Sequence, residues 1–300
     1  MDTPMSPVSS EYLKTESDSV AAYTLAFPNK HTSPLIFASP HSGRHYPQSF
    51  INQARLDSQS LRRSEDAFID ELYEKCVEFG IPFLKATYPR SFLDLNREPF
   101  ELDQNMFQDE LPSYVNNKSA RAIAGLGTVA RIVAKGVNIY KSKLRFEEAF
   151  DRINHIYLPY HQTLNSLITQ CKTEFGVCLL IDCHSMPSSE AKTGLSFVDP
   201  SSDIILGDRF GTSCDTWISD FVHRSLEECG FIVTRNRPYA GGYTTEHYGH
   251  PVDNTHAIQI ELNRACYMNE KTIEKSDRFL ETQEKLNCFI EKMSQIQFIR

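Results

Sequence analysis

Short apolar runs alternate along this chain with longer stretches in which apolar residues recur every three or four positions. LIFAS at 35–39, FLKAT at 83–87, CLLID at 178–182, FIVTR at 231–235 and AIQIEL at 257–262 predict buried strands. The longer spacing predicts helices over 60–80, 146–175, 215–229 and from 272 onward. The first of these ends at Gly80, a residue free to take the left-handed conformation that closes a helix. Strand alternating with helix predicts an α/β fold, a single domain with a mostly parallel mixed sheet and helices on both faces. Residues 1–30 are polar, with Ser, Thr and Pro, and predict a mobile lead-in to a domain over 31–300. The stretch from 98 to 145 is loop-like for longer than compact domains usually tolerate, which predicts an insertion covering a site.

Composition adds limits. A chain of 300 residues with 40% hydrophobic content can bury a full core without staples. Eight cysteines lie scattered with no CxxC pair, which argues against a zinc ribbon and predicts reduced thiols in a cytosol. No basic and then apolar leader opens the chain, and no apolar stretch reaches a membrane span, so a cytoplasmic protein is expected. A net charge of −8 disfavours nucleic acid and anionic membranes as partners, and an anionic small substrate would need a local basic pocket. Oligomeric state is not legible.

Chemistry enters at the strand ends. His41 follows LIFAS, Arg90 follows FLKAT, Asp182 and His184 end CLLID in an expected loop, Arg235, Asn236 and Arg237 follow FIVT, and Glu261 interrupts AIQIEL. In parallel sheets ligands bind beyond the carboxyl ends of the strands, so these residues converge if the strands are parallel. Two histidines so placed suit a zinc-like metal, which in hydrolases takes three protein ligands. Glu261 reads either as an ion-pair partner of Arg264 or as a general base toward an attacking water. Arg90, Asn96 and Arg97 sit close together in YPRSFLDLNREPF, where an arginine fork can grip a carboxylate. From 236 to 251, Gly241 and Gly242 give freedom to a loop walled by Tyr239 and Tyr243, suited to closing over substrate. His247 and His250 are a weaker candidate metal pair, and His155 and His161 read either as structural or as supports behind the site's ligands.

SPHSGRHYP, EDAFIDELY, YPRSFLDLNREPF, PYHQTL, LLIDCHSMP, DIILGDRFGTSCD, NRPYAGGY and QIELNRACYM, in order from about 34 to 268, resemble the N-formylglutamate amidohydrolases of bacterial histidine breakdown. More distantly the arrangement is similar to the zinc carboxypeptidase and aspartoacylase clan, which implies a phosphorylase/hydrolase-like, carboxypeptidase-like fold. The resemblance implies His41 and His184 as metal ligands, Asn96 and Arg97 as the substrate-carboxylate grip, Arg90 as the group polarising the carbonyl and Glu261 as base. The clan's glutamate three residues after the first histidine is Arg44 here, so the third ligand comes from Glu65 or Asp66, which periodicity does not separate; Asp66 is preferred.

The expected activity is hydrolysis of N-formyl-L-glutamate by a protein carrying one divalent metal, zinc, on His41, Asp66 and His184. Arg97 and Arg237 are assigned to the two substrate carboxylates, with Tyr239 beside them. Two rivals share the scaffold: a deacylase of another N-acyl acidic amino acid, and a non-catalytic protein that binds an acidic metabolite.

Overall fold

A computed structural model describes residues 20–133, 136–188 and 202–298. Seven strands form its main sheet: β1 (Tyr23–Ala26), β2 (Leu35–Ser39), β3 (Phe83–Ala86), β4 (Cys178–Met186), β5 (Ile204–Gly207), β6 (Val233–Arg235) and β7 (Thr255–Asn263). Their spatial order is β1-β3-β2-β4-β7-β5-β6. The four central strands, β3, β2, β4 and β7, are parallel, whereas β1 and the β5/β6 pair run the other way. The sheet is therefore mixed and mostly parallel, as the alternation of elements predicts.

Four helices matter for the site: α1 (Leu158–Phe175), α2 (Thr216–Glu228), α3 (Tyr243–Tyr248) and α4 (Phe279–Ser294). Leu164, Leu167 and Ile168 of α1 pack in the same core as Ile36, Leu84 and Leu180 on one face of the sheet. Val222 of α2 and Leu286 and Phe289 of α4 share the other core with Phe37, Ile181 and Ile260. Buried apolar layers on both faces are why the strands read as continuous apolar runs.

The sheet's period of two locates the site. Along β4, Cys178 and Leu180 point into the α1-side core, and the next residues of that face are Asp182 and His184. Along β7, Ala257 is followed on its face by Gln259 and Glu261. Register pairs Asp182 with Gln259 and His184 with Glu261. At the carboxyl ends of these two strands one face thus changes from core to chemistry, while Cys183, Ile260 and Leu262 stay apolar on the other.

Several expectations need correction. The lead-in ends earlier than residue 30, because Tyr23–Ala26 pairs antiparallel with β3; residues 1–19 of it lie outside the described residues. His184 is inside β4, not in a loop after it. The helix expected over 60–80 is instead three short turns, Ser58–Arg62, Ile69–Leu72 and a 3-10 turn Glu74–Val77. Its interruption has a local cause: Asp66 N–H donates to the carbonyl of His41 (3.0 Å), and Phe68 takes a left-handed φ of 67°. Finally, Cys229 and Cys288 form a disulfide, Cα atoms 6.0 Å apart, tying the end of α2 to α4, whereas the other six cysteines are free and buried.

Candidate active site

His41 is delivered by the turn after β2. Gly43 in that turn is required by packing, since a Cβ there would sit 2.2 Å from the Tyr88 carbonyl oxygen. The turn carries His41 toward β4 and anchors Asp66 through the backbone bond above. As a result His41 Nδ1 lies 3.1 Å from His184 Nδ1 and 3.5 Å from Asp66 Oδ2, and His184 Nδ1 lies 3.0 Å from the same oxygen. All three residues are buried. Among the described residues this is the one group of three His, Cys, Asp or Glu side chains placed to hold a metal ion.

The outer nitrogens fix the chemistry of the inner ones. His41 Nε2 donates to Asp94 Oδ1 (2.7 Å), and His184 Nε2 faces Asp182 Oδ2 at 2.9 Å. A proton held at each Nε2 leaves both Nδ1 atoms as lone-pair donors aimed at each other and at a carboxylate. Three such donors converge in a buried space only around a positive charge. Their separations of 3.0, 3.1 and 3.5 Å bracket the edge of about 3.3 Å between ligands of a tetrahedral zinc. The residues present therefore fit a divalent metal. Without a bound metal the same demand for positive charge is met by a proton: burial alone would depress the His184 imidazole, yet Asp182, together with Asp66 and Glu261, holds it well above the usual histidine range, and a bound metal would take that proton's place at Nδ1. For Asp66, burial is likewise outweighed, by hydrogen bonds from His184 and His41, and its carboxyl stays well below the usual range.

Asp94 anchors a second layer. Its Oδ1 accepts from His41 and from Asn96 N–H (2.9 Å), while Oδ2 accepts from Arg90 Nη2 (2.8 Å). Burial would raise its carboxyl, but Arg90 and Arg97 with His41 hold it well below the ordinary carboxylate range. The loop carrying Asp94 is held in turn by α1 and the residue before it: His161 Nε2 donates to the Leu95 carbonyl (2.9 Å) and Tyr157 OH to that of Arg97 (2.7 Å). Burial depresses His161 to about 4, so as a neutral imidazole it braces the loop behind the site.

Glu261 is buried, and its Oε1 accepts from Gln259 Nε2 (2.7 Å). Burial pushes its carboxyl up to about 7, against the charge of His184, with Asp66 adding to the rise. The simpler expectation, an ion pair with Arg264, is not what forms. Arg264 turns to Ser185, Asp66 and the backbone of Arg63 and Glu65.

A cleft of about 270 Å³ borders this cluster, with Asp94, Ser185, Glu261 and Tyr239 in its wall and the three donor residues behind that wall. Arg63, Arg90, Arg97 and Arg264 give it a basic lining inside an acidic protein. Opposite stand Leu126, Ala130, Ile132 and Val133, so the 98–145 excursion does border the site.

The structure thus brings His41, Asp66, His184, Glu261, Arg90, Arg97 and Tyr239 to one place. Two residues expected to grip the substrate, Asn96 and Arg237, are not in the cleft wall. Asn96 is buried behind the cluster, its amide donating to Asp182 Oδ2 (3.4 Å) and accepting from Thr244 N–H (2.7 Å), so it braces the site and does not face the cleft. Gly242 packs so close that a Cβ would fall 2.5 Å from the Asn96 amide. Arg237 is solvent-exposed and is not among the cleft-lining residues, although Tyr239, two residues further on, is. Between the candidate third ligands, Glu65 is engaged by Tyr46 (2.5 Å) and Arg62 (3.1 Å), away from the histidines. Arg44, at the clan's glutamate position, pairs outward with Asp70 and Glu71. His250 approaches the His247 carbonyl (3.0 Å), a local contact in place of a metal pair.

Sequence reasoning gave no role to Asp94, Arg63 or Ser185, took Arg264 only as a partner for Glu261, and placed Asp182 at the strand end without a task. Asp182 had a usable signal, since it lies two residues before His184 and so on the same face of a strand; the others meet the site only through long-range packing.

Residues 33–268 match the family model for N-formylglutamate amidohydrolase. The chain is 28% identical over 243 residues to the N-formylglutamate deformylase of Pseudomonas aeruginosa, covering 79% of this chain and 83% of that one. It is 29% identical over 240 residues to the N-formylglutamate deformylase of Pseudomonas putida, covering 79% and 82%. The crystal structure of N-formylglutamate amidohydrolase from Ralstonia eutropha superposes with a TM-score of 0.85 at 33% identity, over 92% of this chain and 98% of that chain.

Proposed function

Because the chain belongs to the N-formylglutamate amidohydrolase family, we propose that it hydrolyses N-formyl-L-glutamate to formate and L-glutamate. The observation that carries this reading is the conjunction of the His41, Asp66, His184 donor cluster with a base-like Glu261 and a cleft lined by arginines. A divalent metal held by those three residues, zinc by its donor set, would polarise the formyl carbonyl and make water acidic enough to react near neutral pH.

The chain's own groups do the rest. Glu261 takes a proton from the water whose oxygen bonds to the formyl carbon, and returns it to the nitrogen as the C–N bond breaks. Gln259 holds its Oε1 in place for that exchange. Arg90, fixed on Asp94, offers its remaining N–H groups to the developing oxyanion. Arg97 is positioned by donating from Nε to the Leu126 carbonyl (2.9 Å) and from Nη1 to that of Asn96 (2.7 Å), which leaves its outer edge for a substrate carboxylate. The second carboxylate falls to Arg63, exposed at the cleft wall, in the role first assigned to Arg237.

The direct test is glutamate release from formyl-, acetyl- and succinyl-glutamate by the zinc-loaded protein. The formyl substrate should give the highest kcat/KM, and no turnover of it would end the reading. Arg97→Lys keeps the charge but loses the planar fork and both carbonyl anchors, so KM for formylglutamate should rise at least about tenfold, or about 1.4 kcal/mol. Arg63→Ala should raise KM similarly while Arg237→Ala leaves it within twofold. The reverse pattern would return the second contact to Arg237.

A further inference from the structure

Asp66 reaches the donor cluster with one oxygen only. Oδ2 faces the two histidine Nδ1 atoms, whereas Oδ1 accepts from Ser185 Oγ (3.0 Å) and from Arg264 Nη2 (3.3 Å). Ser185 is itself oriented, since its oxygen accepts from Arg264 Nε (3.0 Å). The same guanidinium donates to the carbonyls of Arg63 (3.1 Å) and Glu65 (2.7 Å), so one buried side chain grips the backbone on the N-terminal side of Asp66 and the carboxylate itself. Those contacts use four of its five N–H groups. Asp66 needs such a clamp. It lies in an irregular segment between short helices, followed by a left-handed residue, so no regular element sets its rotamer.

We propose that Arg264 and Ser185 are positioning residues of the metal centre, holding Asp66 as a one-oxygen ligand. By occupying Oδ1 they prevent the carboxylate from swinging to present both oxygens. That geometry suits a four-coordinate metal such as zinc over one that accepts more oxygen ligands, such as manganese. The inference rests on the metal reading above and adds the device that tunes it.

The test uses substitutions that leave the site's charge unchanged, so that altered metal affinity reports position. Ser185→Ala removes one bond to Oδ1 and no backbone contact; Arg264→Lys keeps the cation and loses the fork. Zinc and manganese dissociation constants are measured by competition with a chromophoric chelator, alongside Tm of the metal-free proteins. Zinc affinity should fall about 10-fold in Ser185→Ala and about 10- to 100-fold in Arg264→Lys, the range for loss of a partner behind a ligand. Manganese affinity should fall less, so the zinc preference shrinks. Zinc constants within twofold of wild type in Ser185→Ala, or a lower metal-free Tm with unchanged constants in both variants, overturn the proposal. A wild-type chain that takes up no zinc overturns the metal reading and the proposal with it.

Discussion

Replacing Glu261 by Gln lowers kcat for formylglutamate by about 10²- to 10⁴-fold, the usual contribution of a positioned general base. The amide keeps the shape of the carboxylate, and its oxygen can still accept from Gln259, but it cannot take a proton. Metal content and KM therefore stay near wild type, the pattern left when an interaction made only in the transition state is lost. Tm does not fall, because the neutral amide spares the fold a buried negative charge for which Arg264 is not the partner. A variant with near-normal kcat and a lowered Tm would make Glu261 a structural residue. The environment favours the catalytic outcome: burial has pushed this carboxyl to about 7, where a base is most effective at neutral pH.

The sheet was legible where its physics is local. Burial on both faces makes β2, β3, β4 and β7 read as plain apolar runs, and their shared direction brings His41, Arg90, His184 and Glu261 together. β5 was missed because IILG is short and flanked by Asp203 and Asp208. β5 pairs antiparallel to β7, so β6 is reversed too, and the sheet departs from parallel on that side.

Asp66 illustrates the other limit. The 60–80 stretch has a helix's periodicity, and a helix there places Glu65 and Asp66 almost equivalently. What separates them is the bond from Asp66 N–H to the His41 carbonyl and the grip of Arg264, 198 residues further along. Contacts over such distances leave no trace in a local pattern. Asn96 failed for a related reason: beside Arg97 it reads as part of a substrate grip, yet a buried amide is drawn to the polar groups that need it, here Asp182 and the start of α3.

Replacing His184 by Ala should remove both metal and activity. The variant loses one of three donors and also exposes the charge balance behind them, because His184 lies between Asp66 (3.0 Å) and Asp182 (2.9 Å), all three buried. Loss of a partner behind a ligand weakens metal binding by about 10- to 100-fold, so loss of the ligand itself should exceed that range. Two buried carboxylates left without their shared partner also cost stability, about 3–5 kcal/mol when a buried pair is broken. Folding must therefore be checked separately, by circular dichroism at a temperature well below the lowered Tm. His41→Ala provides the independent control. It leaves Asp182 paired with His184 and instead frees Asp94, which Arg90 still holds at 2.8 Å, so its stability loss should be smaller while its metal loss is comparable. Metal analysis of the purified variants and glutamate release decide the matter. A folded His184→Ala protein that turns over formylglutamate at the wild-type rate would take the cluster out of the reaction and leave it a structural network.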